Sequence, residues 1–336
     1  MRSPSSLHPT LRSVLVLALV ATFGACGGGD GPLDPASEST TDSAAESAAS
    51  SSVPTDGLAA LTTSQRIAFV SWAGARSVFK VDPQGSQRAP VYAQSDAVDS
   101  PAWSWDNKRV AMVRARWSNG VWHNDIFVMT ADGTSGSWAR SQASVWHITD
   151  PAWSPNGLRI VVTILVGGVP TLGWIEPGTS KAGLLWFPGG GAVRGSRPSY
   201  NKAGTKILYV GEHFNTIEQI NPDGSGHKVR ISASVKIDYP SFSPDGARIA
   251  YEKGPAPGTA NTDIYVTSFT TGVTTRLTSS TAVDGHPSWS PDGIRLAFMS
   301  GRTGKPQIYT MNAATGGDLL RLSKLDAYED HPAWTH

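Results

Sequence analysis

The chain has 336 residues, of which 39% are hydrophobic and 16% charged, so it is long enough to bury a substantial core. Its formal net charge of +1 argues against a surface dedicated to nucleic acid. A single cysteine excludes a disulfide framework and any multi-cysteine zinc or iron–sulfur site, while 35 glycines, 23 prolines and 12 tryptophans favour short strands joined by tight turns.

The first segment has the features of an export signal. Arg2 and Arg12 precede an apolar run over residues 14–20, and small residues follow that run. The run is too short to cross a bilayer comfortably. The pattern therefore predicts a secretory signal peptide over residues 1–25.

The only cysteine follows this segment directly. Residues 23–26 read Phe-Gly-Ala-Cys and resemble a bacterial lipobox, in which the signal is cut before the cysteine and the thiol carries diacylglycerol. Lipidated Cys26 would anchor the exported protein to an envelope membrane, and Gly27 after it favours the outer membrane. The protein would then lie in the periplasm or at the cell surface. The alternative is a plain signal peptide followed by an incidental cysteine.

A segment of low complexity comes next, over residues 26–63. It is rich in glycine, serine, alanine and threonine, and it contains acids but neither lysine nor arginine. Such a composition buries too little apolar surface to offset the entropy of ordering, so we predict a disordered acidic tether. Its acids are Asp30, Asp34, Glu38, Asp42, Glu46 and Asp56.

A repeat dominates the remainder of the chain, residues 64–336. Proline, a small residue and an aromatic residue recur together, as in Pro101-Ala-Trp103, and successive prolines lie 50, 47, 42, 47 and 45 residues apart. Each copy continues into a turn, with glycine free to adopt positive φ in most copies, and then into an apolar strand. This period fits a four-stranded propeller blade. The other prolines of the motif are Pro151, Pro198, Pro240, Pro287 and Pro332.

The strands of each unit can be placed from this motif. Second strands are predicted to start near residues 66, 109, 159, 206, 248 and 295. Residues 125–129 illustrate a third strand, and residues 145–149 are assigned to a fourth. Six units of four strands follow.

The two ends of the repeat complete each other. Residues 66–70 match a second strand that no aromatic strand precedes, whereas Pro332-Ala333-Trp334 is an aromatic strand with no second strand after it. We therefore predict an all-β, six-bladed propeller of four-stranded blades, closed one-plus-three by the C-terminal strand.

These units resemble the WD40-like repeat of TolB-type propellers over about residues 64–336. The resemblance rests on two full Ser-Pro-Asp-Gly copies, Ser243–Gly246 and Ser290–Gly293, and on four degenerate copies at a fixed period. It implies a propeller that binds protein partners of the bacterial envelope at one face. We expect the protein to be a monomer.

Carboxylates and histidines lie just before the prolines of the repeat, at the end of each first strand where the channel opens. Convergent carboxylates would suit a hard cation or a basic ligand segment. The alternative is that each aspartate accepts backbone N–H groups of its own turn. The residues are Asp99, Asp150, Asp238, Asp284, Asp330, His286 and His331.

Two tryptophans are predicted on the same face. Trp117 and Trp122 lie in the loop between a second and a third strand, next to Arg116 and Asn124. An exposed aromatic pair with such neighbours would stack on sugar rings or contact a peptide. The alternative is that both rings cover the adjacent blade.

No catalytic motif is present: the sequence lacks Gly-x-Ser-x-Gly, His-Glu-x-x-His and a phosphate loop, so no catalytic residue is assigned. The favoured function is a non-enzymatic envelope scaffold that binds a protein, peptide or glycan at its loop face and needs no cofactor. One alternative is a metal-dependent propeller enzyme of the lactonase or polysaccharide-lyase type, with calcium or another divalent ion in the channel. Another is a purely structural envelope component. Nucleic acid is not an expected partner.

Overall fold

The computed structural model describes residues 65–336 apart from 74, 94–96, 119, 141–145, 255–260 and 324–326. The predicted signal peptide, Cys26 and the predicted tether over residues 26–63 lie outside the described residues. Within the described part, the chain forms 24 β-strands and no α-helix. No helix there is long and apolar enough to cross a membrane.

The strands form six four-stranded antiparallel sheets, which are the blades of a propeller. Blade 1 contains β1 (Ile67–Ala73), β2 (Ala75–Val81) and β3 (Ala89–Tyr92). Blade 2 contains β4 (Val98–Trp103), β5 (Arg109–Ser118), β6 (Val121–Thr130) and β7 (Gly136–Trp138). Blade 3 contains β8 (Ile148–Trp153), β9 (Ile160–Val166), β10 (Val169–Ile175) and β11 (Ala182–Leu184). Blade 4 contains β12 (Gly195–Tyr200), β13 (Ile207–Gly211), β14 (Thr216–Ile220) and β15 (Lys228–Ser232). Blade 5 contains β16 (Ile237–Phe242), β17 (Arg248–Lys253), β18 (Asp263–Ser268) and β19 (Thr274–Arg276). Blade 6 contains β20 (Asp284–Trp289), β21 (Arg295–Ser300), β22 (Gln307–Asn312) and β23 (Leu320–Arg321).

The last strand, β24 (Tyr328–Trp334), completes blade 1 by pairing with β1, so the sheet order is β24-β1-β2-β3. Trp334 lies opposite Ile67 in this pairing, and Tyr328 lies opposite Trp72. Trp334 is buried in a core cluster that includes Phe69 of blade 1 and Ala297 of blade 6. The predicted six-bladed propeller and its one-plus-three closure are confirmed.

The predicted second strands are also confirmed, since they start at residues 67, 109, 160, 207, 248 and 295. The fourth strand assigned to residues 145–149 is wrong. The fourth strand of blade 2 is Gly136–Trp138, and Ile148 begins the first strand of blade 3, where it pairs with Ile164. The fourth strand of one blade and the start of the next first strand both lie upstream of the same proline, so the repeat spacing does not separate them.

Turns with a serine at their start join each first strand to its second in four blades. In blade 5, the hydroxyl of Ser243 donates to Asp245 and accepts the backbone N–H of Arg248 at 2.9 Å. Gly246 completes the turn with a φ of 69°, a conformation that glycine adopts without steric cost. These turns lie on the face opposite the loops between second and third strands.

A β-bulge interrupts the pairing of each first strand with its second. In blade 2, Asp99 pairs with Val113 and Ala102 pairs with Ala111, so the first strand contains one extra residue between these pairs. The same register shift occurs in the other five blades. Proline is tolerated here because the ladder is already interrupted where its N–H is missing. The bulge therefore explains why the motif contains a proline.

Candidate functional site

Six residues, one per blade, directly precede the prolines of the repeat, and we call them the mouth ring. Each has a positive φ between 46° and 54°, which is uncommon for residues other than glycine and is stored strain. All six line one axial cavity of about 200 Å³, together with the prolines that follow them. The bulge thus brings one side chain from each blade to the axis. The members are Ser100, Asp150, Arg197, Tyr239, His286 and His331.

Four members of the mouth ring pack in series across one side of the axis. The guanidinium of Arg197 donates to the Tyr239 hydroxyl at 3.1 Å, and its central carbon lies 4.2 Å from the Tyr239 ring centroid. The Tyr239 ring centroid lies 3.8 Å from that of His286, which stacks on His331 with centroids 4.1 Å apart. These contacts hold the side chains in place before any ligand arrives.

Two carboxylates join the histidines of the ring. His286 Nδ1 contacts Asp330 Oδ1, and His331 Nδ1 lies 3.7 Å from Asp330 Oδ2 and 3.1 Å from Asp99 Oδ1. Arg76 forms an ion pair with Asp99 at 3.0 Å. Two imidazoles and two carboxylates therefore meet on one side of the mouth.

Burial and charge act in opposite directions on this cluster. Burial lowers the pKa of His286, but the Asp330 carboxylate and then Glu252 outweigh it and raise that pKa above its ordinary value. Burial raises the pKa of Asp330, yet His286 and His331 outweigh it and hold that pKa well below its usual range. Burial also raises the pKa of Glu252, whose Oε2 accepts the backbone N–H of His286 at 3.2 Å. The pKa directions favour a charged His286–Asp330 pair.

The other two members of this series, Tyr239 and Arg197, keep their ordinary charge states. Burial raises the pKa of Tyr239 well above its usual value, so the hydroxyl keeps its proton. Burial lowers the pKa of Arg197, but Tyr239, Asp238 and Asp150 outweigh it and raise the pKa, so the guanidinium stays charged.

The structure separates the predicted acidic residues into two groups. Asp150 belongs to the mouth ring, and Asp99 and Asp330 contact its histidines. Asp238 and Asp284 are fully buried instead. Asp238 pairs with Arg197 and Lys236, each at 2.9 Å, and Asp284 pairs with Arg302 at 3.2 Å. A ligand role for any of these residues stays a prediction.

Three of the aspartates also hold the backbone of the ring, as the capping alternative proposed. Asp99, Asp238 and Asp330 each accept the N–H of the following residue, at 2.8, 3.0 and 2.7 Å. Each following residue is a mouth-ring member with positive φ. The carboxylates therefore stabilise the bulge conformation itself.

Of the six mouth-ring members, Asp150, His286 and His331 were predicted from the sequence, whereas Ser100, Arg197 and Tyr239 were not. A usable signal was present, because every member of the mouth ring stands one residue before a proline of the repeat. Residue type does not mark the position, since its six occupants are serine, aspartate, arginine, tyrosine and two histidines.

The predicted tryptophan pair lies on the mouth face. Strand β5 pairs Arg114 with Val98 and continues beyond it into a hairpin, where Trp117 lies opposite Trp122. Their exposed fractions are 57% and 54%, and the rings meet edge to face with centroids 5.4 Å apart. Both rings are open to solvent, so they are available for contact with a partner.

A second aromatic pair on this face was missed. Trp72 and Tyr328 stack with ring centroids 5.6 Å apart, and the guanidinium of Arg76 lies 4.0 Å from the Trp72 centroid. Because Arg76 also pairs with Asp99, the aromatic pair is connected to the mouth. The two residues come from opposite ends of the repeat, so only closure of the ring brings them together.

Fold and site define a six-bladed β-propeller with a preorganised polar mouth on one face. The chain belongs to the TolB beta propeller domain family, which matches residues 59–259 and 239–336. This confirms the resemblance inferred from the repeat.

Solved structures of several activities share the fold. TolB from Acinetobacter baumannii superposes with a TM-score of 0.65 at 20% identity, covering 81% of this chain and 67% of that one. Hydrazine synthase from Kuenenia stuttgartiensis superposes with a TM-score of 0.63 at 14% identity, covering 81% of this chain and 46% of that one. An oligogalacturonate lyase in complex with manganese superposes with a TM-score of 0.50 at 13% identity, covering 77% of this chain and 74% of that one. At these identities the similarity shows the fold and not the activity.

Proposed function

We propose that the protein is an exported, lipid-anchored envelope propeller that binds a protein, peptide or glycan partner at its mouth face and acts as a non-enzymatic scaffold. The observation that carries the proposal is that the polar mouth ring and the exposed Trp117–Trp122 hairpin lie on one face. Membership of the TolB beta propeller family supports an envelope partner.

The proposed physical basis of binding is that the blades hold the binding side chains in fixed positions before the partner arrives. Four of the six mouth-ring side chains pack on one another, and the backbone of three members is held by the carboxylates of Asp99, Asp238 and Asp330. Groups that are already ordered lose little conformational entropy when a partner binds. The exposed tryptophans supply large apolar area close to these polar groups.

The anchor belongs to the same proposal. Lipidation of Cys26 would attach the propeller to the outer membrane through the tether over residues 26–63. The propeller would work as a monomer in the periplasm or at the cell surface. Metabolic labelling with a fatty-acid analogue, compared between the natural chain and Cys26→Ser, tests this part separately from partner binding.

Site-specific photo-cross-linking in cells tests the binding face. A photoreactive phenylalanine replaces Trp117 or Trp122 in one set of variants, and Leu158 or Ile294 in the control set. The control residues are 67% and 51% exposed and lie in turns on the opposite face. We expect a discrete adduct at positions 117 and 122 alone. Adducts at all four positions, or at none, contradict the proposed face.

A further inference from the structure

We propose that His286, His331 and Asp330 form a binding site for one divalent transition-metal ion at the channel mouth. One ligand atom from each of these residues lies within 4.8 Å of the other two. Strands β20 and β24 of neighbouring blades supply the three residues, so the site spans the closing strand and blade 6. The site does not depend on the proposed partner.

The surroundings fix both imidazoles. Each histidine sits at the extra residue of a bulge, and its backbone N–H is held by a carboxylate, Glu252 for His286 and Asp330 for His331. The Tyr239 hydroxyl lies 3.4 Å from His331 Nε2, so the nitrogen remote from Asp330 has a neighbour of its own. Fixing a ligand through its second nitrogen is how metal sites orient imidazoles.

The donor atoms indicate the class of metal. Two imidazole nitrogens with a carboxylate oxygen suit zinc, manganese, cobalt or nickel, whereas calcium prefers oxygen ligands throughout. The sequence alone predicted calcium or another divalent ion in the channel, among aspartates together with His286 and His331. The observed cluster narrows this to a transition metal, with Asp99 as an additional carboxylate 3.1 Å from His331 Nδ1.

The local charge also favours a cation. Asp330 contacts both imidazoles, Asp99 contacts that of His331, and the buried Glu252 accepts the His286 N–H; of these carboxylates, Asp99 is also paired with Arg76 at 3.0 Å. The nearest opposing charge in the ring, Arg197, is paired with the buried Asp238 at 2.9 Å.

The test uses the purified full-length chain after dialysis against a chelator. Isothermal titration with zinc, manganese and calcium chlorides measures affinity and stoichiometry, and visible absorption of added cobalt reports nitrogen and oxygen coordination. We expect one zinc or manganese ion per chain and weaker binding of calcium. Asp330→Asn, which keeps the shape of the side chain, and His331→Ala should each lower the zinc affinity by about 100-fold or more.

Two histidines outside the mouth provide matched controls. His213 is exposed, and His227 contacts Glu218 at 2.7 Å, so it tests whether any histidine–carboxylate pair would suffice. His213→Ala and His227→Ala should bind zinc as the natural chain does. Absence of zinc and manganese binding by the folded natural chain overturns the proposal, as does unchanged zinc affinity in Asp330→Asn. Calcium binding as tight as that of zinc would also overturn it.

Discussion

The indole N–H of Trp103 donates to the carbonyl oxygen of Ala333 at 3.1 Å, across a sequence separation of 230 residues. It joins blade 2 to the closing strand of blade 1. Trp289 makes the equivalent bond to the carbonyl of Ser241, between blades 6 and 5. By contrast, the indole nitrogen of Trp153 is buried without a hydrogen-bond partner among the described residues.

This difference gives a measurable prediction. Trp103→Phe and Trp153→Phe remove similar volume, but only the first removes a hydrogen bond and leaves the Ala333 carbonyl without its donor. We expect Trp103→Phe to lower the free energy of unfolding by about 1 kcal/mol more than Trp153→Phe does. Urea denaturation of both variants measures the difference. Equal losses would show that the bond adds nothing to stability.

Strain in the mouth ring predicts a stabilising substitution. Ser100 has a φ of 46°, so Ser100→Gly should raise the free energy of unfolding by about 0.5–1 kcal/mol. Gly246→Ala is the opposite control, because an added Cβ there meets no atom within 4 Å but keeps a φ of 69°. We expect Gly246→Ala to lower the free energy of unfolding by about 1 kcal/mol. Thermal melts measure both variants. A lower melting temperature of Ser100→Gly than of the natural chain would contradict the idea that the Ser100 backbone is strained.

Arg197 should matter for stability as well as for the mouth. Arg197→Met leaves the buried Asp238 with Lys236 as its remaining ion-pair partner, and we expect the free energy of unfolding to fall by about 3 kcal/mol. Combining it with Asp238→Asn should cost less than the sum of the two single changes. Chemical denaturation of the three variants completes this double-mutant cycle. Simple additivity would mean that the two side chains are not coupled.

The space beside Gly285 is already filled. A Cβ added to Gly285 would lie 2.3 Å from Glu252 Oε2, the atom that accepts the His286 N–H. Gly285→Ala should therefore displace this carboxylate and lower the free energy of unfolding by roughly 1–3 kcal/mol, which urea denaturation measures. At Gly254 the nearest atom is 3.7 Å away, so Gly254→Ala serves as the control with a small effect. A tolerated Gly285→Ala together with an intact mouth would be evidence that Glu252 moves freely.

Acid sensitivity should depend on Glu218. Burial raises the pKa of Glu218, but hydrogen bonds from His227, Tyr209 and Thr216 outweigh it and lower that pKa below its ordinary 4.5. A lowered pKa in the folded state adds stability that is complete above 4.5 and is lost as the pH falls below it. We therefore expect the loss of stability between about pH 5 and pH 3 to be smaller in Glu218→Gln.

Tyr209→Phe provides an internal check on this interpretation. It removes only the hydroxyl that donates to Glu218 Oε2 at 2.7 Å, so its acid profile should fall between those of the natural chain and Glu218→Gln. Circular dichroism melts over a pH series measure all three proteins. Identical acid profiles would contradict the lowered pKa.

The blades were predictable because their determinants are local. Proline at the bulge, the aromatic residue after it and the turn that ends in glycine each act within a few residues, and they repeat at a fixed period. Closure was predictable for the same reason, since residues 66–70 and Pro332–Trp334 are two halves of one local pattern. The fourth strands were harder to place because they are short and carry no such marker.

The mouth was only partly predictable. Asp99, Asp150, Asp330, His286 and His331 were chosen for their chemistry and do meet there. Asp238 and Asp284 were chosen on the same ground, yet both are buried in ion pairs, Asp238 with Arg197 and Lys236 and Asp284 with Arg302. Which basic side chain reaches which aspartate depends on how the strands pack and cannot be read from residue types.

The innermost strand of the first blade is the last strand of the chain, since Trp334 pairs with Ile67. While the polypeptide leaves the ribosome or threads through a secretion pore, β1 keeps an open edge until β24 has emerged. Pairing strands so remote in sequence is slow, because the loop entropy must be overcome first. The ring therefore cannot seal before residues 328–334 have emerged, so blade 1 is completed after the strands of the other five blades have been made.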